Sequence, residues 1–280
     1  MAMLTKEHTL QIKGAAILCM IGLHLFGCPE RLPIECPTWF GSPLTKALQI
    51  CVPIYLFMSG YGLQCVANKT PVTYQQFILR LKKLYWTYWW IFIPFVSIGL
   101  LIGYYQFNLS DYFFTLIGLK WTYNGEWWFF SLYVELLVLY LLIGRIKVKW
   151  WHYLVIMSVV LLISRFLNGK FDFWGLNLVK RHFNMIMIDL NIFMMGCFFS
   201  LYDIFRKCDE LISHLNKFSI SIIVLLAIIS PIVIRAYVPL IGITELILVP
   251  IFCYGIVVIC RRFSWGGFCV FGVNIVLISG

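Results

Sequence analysis

The sequence predicts an all-α, polytopic integral membrane bundle of about eight to nine spans, and three observations carry that prediction. Of 280 residues 61% are hydrophobic and only 12% charged, at a mean hydropathy of +0.88; a soluble domain carries about twice that charged fraction. The apolar residues fall in continuous runs near span length rather than in the two-residue alternation of a membrane barrel. Tryptophan and tyrosine gather at the run ends, as at Trp39, Trp121, Trp127, Trp150 and Trp151, where an interfacial belt would place them.

Taken in order, the runs predict spans at 12–28, 47–66, 84–104, 127–144, 150–166, 185–202, 218–234 and 239–260. The first follows a basic start but has no small-residue cleavage site, so it reads as a retained span rather than a removed signal. The second holds the run CVPIYLFMSGYGL, the fourth opens on an aromatic cluster, and the fifth opens on Trp150 and Trp151. A further apolar stretch at 268–280 is 13 residues long, short for a span, so a final helix is expected to be missing. No internal repeat or linker divides the chain, and residues 1–280 read as one membrane domain.

The formal charge of +10 does not point to nucleic acid. The 22 Lys and Arg lie mostly between apolar runs, where inner-leaflet lipid and the positive-inside rule put them, and no basic arm or zinc spacing accompanies them. Counted on alternate sides, fourteen basic residues share the side of the N-terminus against eight on the other, which predicts a cytoplasmic N-terminus in a cell membrane, as in a bacterial plasma membrane. The loop 167–184 is basic on the opposite side; either the topology differs there or the loop faces an anionic acceptor. Ten cysteines show no C-x-x-C or other metal spacing, so no metal is expected. Cys28 and Cys36 flank a short loop and could pair on an oxidising side; the other cysteines sit mainly in apolar runs as small core residues.

Four constellations could carry chemistry. Lys13 and His24 share the run QIKGAAILCMIGLHLFGC. In a helix eleven positions return to the same face after three turns plus 20°, roughly 16 Å along the axis. This places Lys13 at the cytoplasmic interface and His24 roughly halfway into the membrane, where an imidazole is costly to keep and suits a general base. The plainer alternative is a snorkelling lysine and a histidine bonded to a neighbouring helix. Arg80 and Lys83, at i and i+3 in a basic stretch, could hold a phosphorylated cofactor, or form an ordinary solvated positive loop. Ser59 and Gly60 interrupt an apolar run, where small residues let helices approach and a hydroxyl bonds across them; no adjacent acid or base makes Ser59 a nucleophile. In NGEWWFFSLYVELLVLYLL, Glu126 precedes the aromatic cluster, and Trp128 and Glu135 fall on one helical face; a buried Glu135 needs a partner or a proton. Asp189 and Glu245 are further intramembrane acids, either of which could neutralise a buried base.

At these segments the chain resembles the membrane-bound acyltransferase family 3, whose members O-acylate cell-surface carbohydrates. Lys13, Gly14, Ala15, Ala16, Ile17 and His24 fit the first-span pattern of a basic residue, ten intervening residues and histidine, with Lys where many members have Arg. Pro53, Tyr55, Phe57, Ser59 and Gly60 fit the second span, Arg80 and Lys83 the Arg-x-x-Arg that follows it, and Trp127, Trp128 and Phe129 the tryptophan-rich start of the fourth. Glu135 stands seven residues after Trp128, where many members have five. The resemblance covers roughly residues 1–145 and continues only in hydropathy.

It implies acetyl-CoA as cytoplasmic acyl donor and a carbohydrate hydroxyl as acceptor. His24 would be the general base, or the carrier of a covalent acyl group; Lys13 would orient it or the donor. Arg80 with Lys83 would bind the pyrophosphate, and Ser59, Trp128 and Glu135 would line the site. Carbohydrate and membrane lipid are the implied partners. The leading alternative is a transporter or flippase of a polysaccharide precursor, which paired, interrupted spans in two related halves would favour; no such halves are evident. A third reading is a scaffold subunit without chemistry.

Overall fold

The computed structural model describes residues 4–27, 42–70, 73–143, 149–173, 177–238 and 244–262. Cys28, Cys36 and the stretch 268–280 lie outside them. Among the described residues there is no strand; the elements are helices, as the composition predicts.

Helix α1 spans Lys6–Phe26. It starts at Thr5, whose hydroxyl accepts from the His8 amide at 3.2 Å while His8 Nδ1 accepts from the Thr5 amide at 3.3 Å, a reciprocal cap with histidine in the place usual for glutamate. The short α2 (Ser42–Leu48) turns almost directly into α3 (Cys51–Lys69). Helix α4 (Tyr74–Leu101) is capped in the same manner by Thr73 and Gln76. It begins ten residues before the predicted span, so Arg80 and Lys83 stand in its second and third turns. Helix α5 (Leu109–Leu116) is a half-length piece capped by Asn108, and a 3-10 turn at Gly125–Trp127, capped by Asn124, leads into α6 (Trp128–Ile143).

Helix α7 (Trp150–Phe173) and α8 (Asn177–Leu201) absorb nearly all of the stretch expected as the basic loop 167–184. Hydropathy marks only the lipid-crossing part of a helix, and charged residues at its ends continue the same backbone hydrogen bonding beyond the lipid. At Asp203, the only described non-glycine residue with positive φ (51°), the chain turns into the amphipathic α9 (Ile204–Ile212). Helices α10 (Lys217–Tyr237) and α11 (Glu245–Arg262) follow.

Five segments are long and apolar enough to cross a membrane: Lys6–Phe26, Pro43–Lys69, Tyr74–Leu101, Gly125–Leu142 and Lys217–Tyr237. A sixth forms if Met185–Leu201 and Ile204–Ile212, bent by 65°, count as one. By length and hydropathy the described helices thus supply five or six of the eight to nine expected spans.

The centre of the bundle is the crossing of α3 and α8. Gly60 lies on the backbone of Phe193 and Cys197, and Gly196 on that of Phe57 and Tyr61. Further along, Ser200 Oγ donates to Cys65 Sγ at 3.1 Å and Asn68 Nδ2 to the Ser200 carbonyl at 3.3 Å, so the two helices run in the same direction. Without a hydrophobic drive between helices in lipid, such close backbone approach supplies the packing, and Ile54, Phe57, Met58, Ile192 and Phe193 are buried around it. Gly60 is therefore a helix-packing device, as a small residue in an apolar run suggests, whereas the Ser59 hydroxyl, expected to bond across helices, donates back to the Tyr55 carbonyl of its own helix, an acceptor one turn away.

Two ion pairs close the bundle. Arg235 of α10 donates to the Lys46 carbonyl at 2.9 Å and pairs with Glu245 of α11, both side chains mostly buried. Asp209 of α9, buried, accepts from Arg261 at 2.5 Å and from the Tyr254 hydroxyl at 2.9 Å. Removing one partner of a buried pair strands the other charge. Arg235→Met should lower stability in detergent by about 3–5 kcal/mol, and Arg235→Met/Glu245→Met should recover most of that loss in the same thermal-unfolding measurement.

Candidate active site

Because α1 begins at Lys6, Lys13 lies seven residues into the helix and His24 eighteen, about 10 Å and 27 Å along the axis. The expected depths are therefore redistributed. Lys13 is the interior group, half-buried and without a hydrogen-bond or ion-pair partner among the described residues. His24 sits in the last turn, at the far end of the helix rather than midway along it. Its Nε2 is 3.9 Å from Glu126 Oε2, and the two side chains are 47% and 64% exposed. An imidazole backed by a carboxylate and open to the surroundings can take a proton from a hydroxyl and have the resulting charge stabilised.

A second group forms where α3, α4 and α6 meet. Ser59 Oγ donates to the Tyr55 carbonyl of its own helix at 2.7 Å. Tyr133 and Tyr140 both lie within electrostatic reach of Arg80. Tyr140 donates to Gln64 Oε1 at 3.3 Å, and Gln64 Nε2 to Asn68 Oδ1 at 2.8 Å. Arg80 is half-buried and makes no hydrogen bond among the described residues, while Lys83, one turn on, is exposed. The expected cation pair is thus split: Arg80 belongs to the bundle and Lys83 to its surface.

The third group is built around α5. Tyr85, Tyr88 and Trp89, which take up its end, lie eleven to fifteen residues into α4, roughly 16–22 Å along that helix and near its middle. A helix C-terminus at that depth leaves carbonyls that water cannot satisfy. Each finds a side-chain donor: Thr115 O receives Tyr88 OH at 2.7 Å, Leu116 O receives Trp89 Nε1 at 3.0 Å and Ile117 O receives Tyr85 OH at 2.9 Å. Ser131 Oγ donates to Gly118 O, and His182 Nε2 lies 3.0 Å from Leu119 O. Gly118 has φ +78°, which favours glycine, and a Cβ there would strike the Phe130 ring.

Glu135, expected to need a partner or a proton, finds His182 of α8: Nδ1 is 2.7 Å from Glu135 Oε1. The other carboxyl oxygen is buried without a hydrogen-bond partner among the described residues. The carbonyl of Leu119 can only accept, so Nε2 carries a hydrogen. At Nδ1 either an imidazolium donates to the carboxylate or a neutral ring accepts from the acid. Trp121 is edge-on to the ring at 5.1 Å, whereas Trp128 packs on the main core.

Of the residues singled out in the sequence, the structure brings His24 to Glu126 and Glu135 to His182. It gives the Lys13 and Lys83 side chains no polar partner among the described residues. His182 and Tyr133 were not singled out. His182 sits in a stretch whose basic residues read as a loop, and Tyr133 is one aromatic among many in an apolar run. Comparison with known proteins finds no matching family model, no matching curated protein and no matching solved structure.

Proposed function

We infer that the chain is an integral membrane O-acyltransferase moving an acetyl or other acyl group from acetyl-CoA to a hydroxyl of a cell-surface or exported carbohydrate. In this reading the N-terminus is cytoplasmic and α7, α8 and α11 are also crossings, giving eight in the described chain. The observation that carries it is the exposed His24 imidazole with the Glu126 carboxylate beside it, at the position where the first-span motif resembles family 3.

His24 accepts the proton of the acceptor hydroxyl as its oxygen attacks the thioester carbonyl carbon. The new C–O bond replaces the C–S bond, and the imidazolium returns the proton to the departing thiolate, with Glu126 stabilising the charge in between. Arg80, half-buried in the second turn of α4, supplies a cation for the donor's phosphates on the N-terminal side. The long thiol arm of the donor then spans from there toward the far end of α1.

The test is transfer of labelled acetyl from acetyl-CoA to a carbohydrate acceptor by the chain in liposomes, with mass spectrometry of surface glycans from cells with and without it. Label transfer and a one-acetyl mass difference support the reading; neither appearing overturns it. Arg80→Glu should raise the acetyl-CoA KM about 10- to 100-fold, the loss of a charge-assisted contact, with a smaller effect for exposed Lys83→Glu. Acetyl-CoA protection against thermal unfolding should weaken in parallel.

A further inference from the structure

The carboxylate facing His24 is carried by a segment that makes its polar ties elsewhere. From Gly118 to Trp127 the chain is held by Ser131 at Gly118, by the Lys120–Asp111 pair at 2.9 Å, and by Tyr105, whose hydroxyl donates to the Tyr123 carbonyl at 2.6 Å. Asn124 then caps the 3-10 turn by accepting from the Glu126 amide at 3.0 Å. All of these anchors come from α4–α6 and the chain between them. A tie that reaches across to α8 is His182, with Nε2 on the Leu119 carbonyl and its ring against the buried Trp121. The ring itself is aimed by Glu135 through Nδ1.

We propose that His182, aimed by Glu135, is a positioning residue that fixes the Leu119–Trp127 segment and so sets the Glu126 carboxylate against the His24 imidazole. The proposal rests on the acyltransferase reading for its consequence, though not for its geometry. His182 touches neither acceptor nor donor; it acts through the backbone it holds. Removing its ring takes this donor from the Leu119 carbonyl, and the segment relaxes toward whatever donor it can reach. Displacement of a catalytic partner by about 1 Å is enough to cost roughly 100-fold in rate.

Two measurements test it. In liposomes, His182→Ala should lower kcat roughly 10- to 100-fold while the acetyl-CoA KM stays within about twofold. His182→Gln, whose amide nitrogen can still donate to the Leu119 carbonyl, should recover most of the rate. Combined with Glu126→Gln, His182→Ala should add little, because both act through one contact. Independently of turnover, a His24→Cys/Glu126→Cys variant should be joined by a short bifunctional thiol reagent, read as a 24–126 cross-linked peptide. The cross-link should be lost with His182→Ala and regained with His182→Gln. If His182→Ala leaves the cross-link intact, or His182→Gln fails to restore it while the protein stays folded, the proposal is overturned. Absence of any acetyl transfer by the unaltered chain would overturn the functional reading alone, since the cross-link still reports the positioning. Should His182→Ala not fold, Glu135→Gln, which leaves the Leu119 bond in place but loosens the aim of the ring, should weaken the cross-link; an undiminished yield would count against the proposal.

Discussion

Alanine in place of His24 is expected to lower acetyl transfer about 100- to 10,000-fold, the range over which a positioned general base acts. Two structural facts confine that loss to chemistry. The side chain is 47% exposed at the end of its helix, so truncation opens no core cavity, and its polar contact among the described residues is the 3.9 Å approach to Glu126. The variant should therefore express and unfold as the unaltered chain does, and its acetyl-CoA KM should hardly change. Glu126→Gln should fall between the two, since it removes the charge that steadies the imidazolium but not the base itself. A turnover assay at saturating donor, with a thermal-unfolding curve for each variant, separates the outcomes. Full activity in His24→Ala would remove the proposed mechanism.

Substituting the two crossing glycines is expected to damage the fold at its central helix crossing. A Cβ at Gly60 would overlap the Phe193 carbonyl, and one at Gly196 the Phe57 carbonyl. Neither obstacle is the flexible end of a side chain, so the α3 and α8 backbones must separate. Gly60→Ala or Gly196→Ala should each cost about 1–3 kcal/mol, and Gly60→Val more, with loss of the folded species in detergent. The pair Gly60→Ala/Gly196→Ala should cost less than the sum, because helices already forced apart by one methyl admit the second. Additive losses would mean that the two glycines do not share one crossing. Gly62, where an added Cβ meets nothing within 4 Å, serves as the control.

What could be read in advance follows the range of the interaction involved. Helicity and membrane class depend on composition and on apolar run length, which are properties of each segment alone. The helix starts at Thr5 and Thr73 depend on polar caps that hydropathy ignores, so α1 and α4 begin several residues before their apolar runs and the depth of Lys13 and His24 shifts accordingly. The close approach at Gly60 was legible because small residues in an apolar run have few other uses. Its partner Gly196 was not, because pairing of α3 with α8 is a tertiary choice. Likewise Glu135 announced that it needed a partner, yet His182 lies in a stretch whose charges resemble a loop. Of the remaining acids, Glu245 neutralises Arg235, and Asp189 lies within reach of the same guanidinium.

The capped end of α5 bears on whether this bundle could work as a pump or shuttle. Discontinuous helices in such machines leave their ends bare, so that cargo can supply the missing bonds and the piece can swing. Here five consecutive carbonyls are already occupied by Tyr88, Trp89, Tyr85, Ser131 and His182. Swinging the piece away would break all five side-chain bonds at once, the two buried ones to Tyr88 and Ser131 among them. The half-helix is a fixed wall, and any opening that admits a substrate has to be found along some other seam of the molecule.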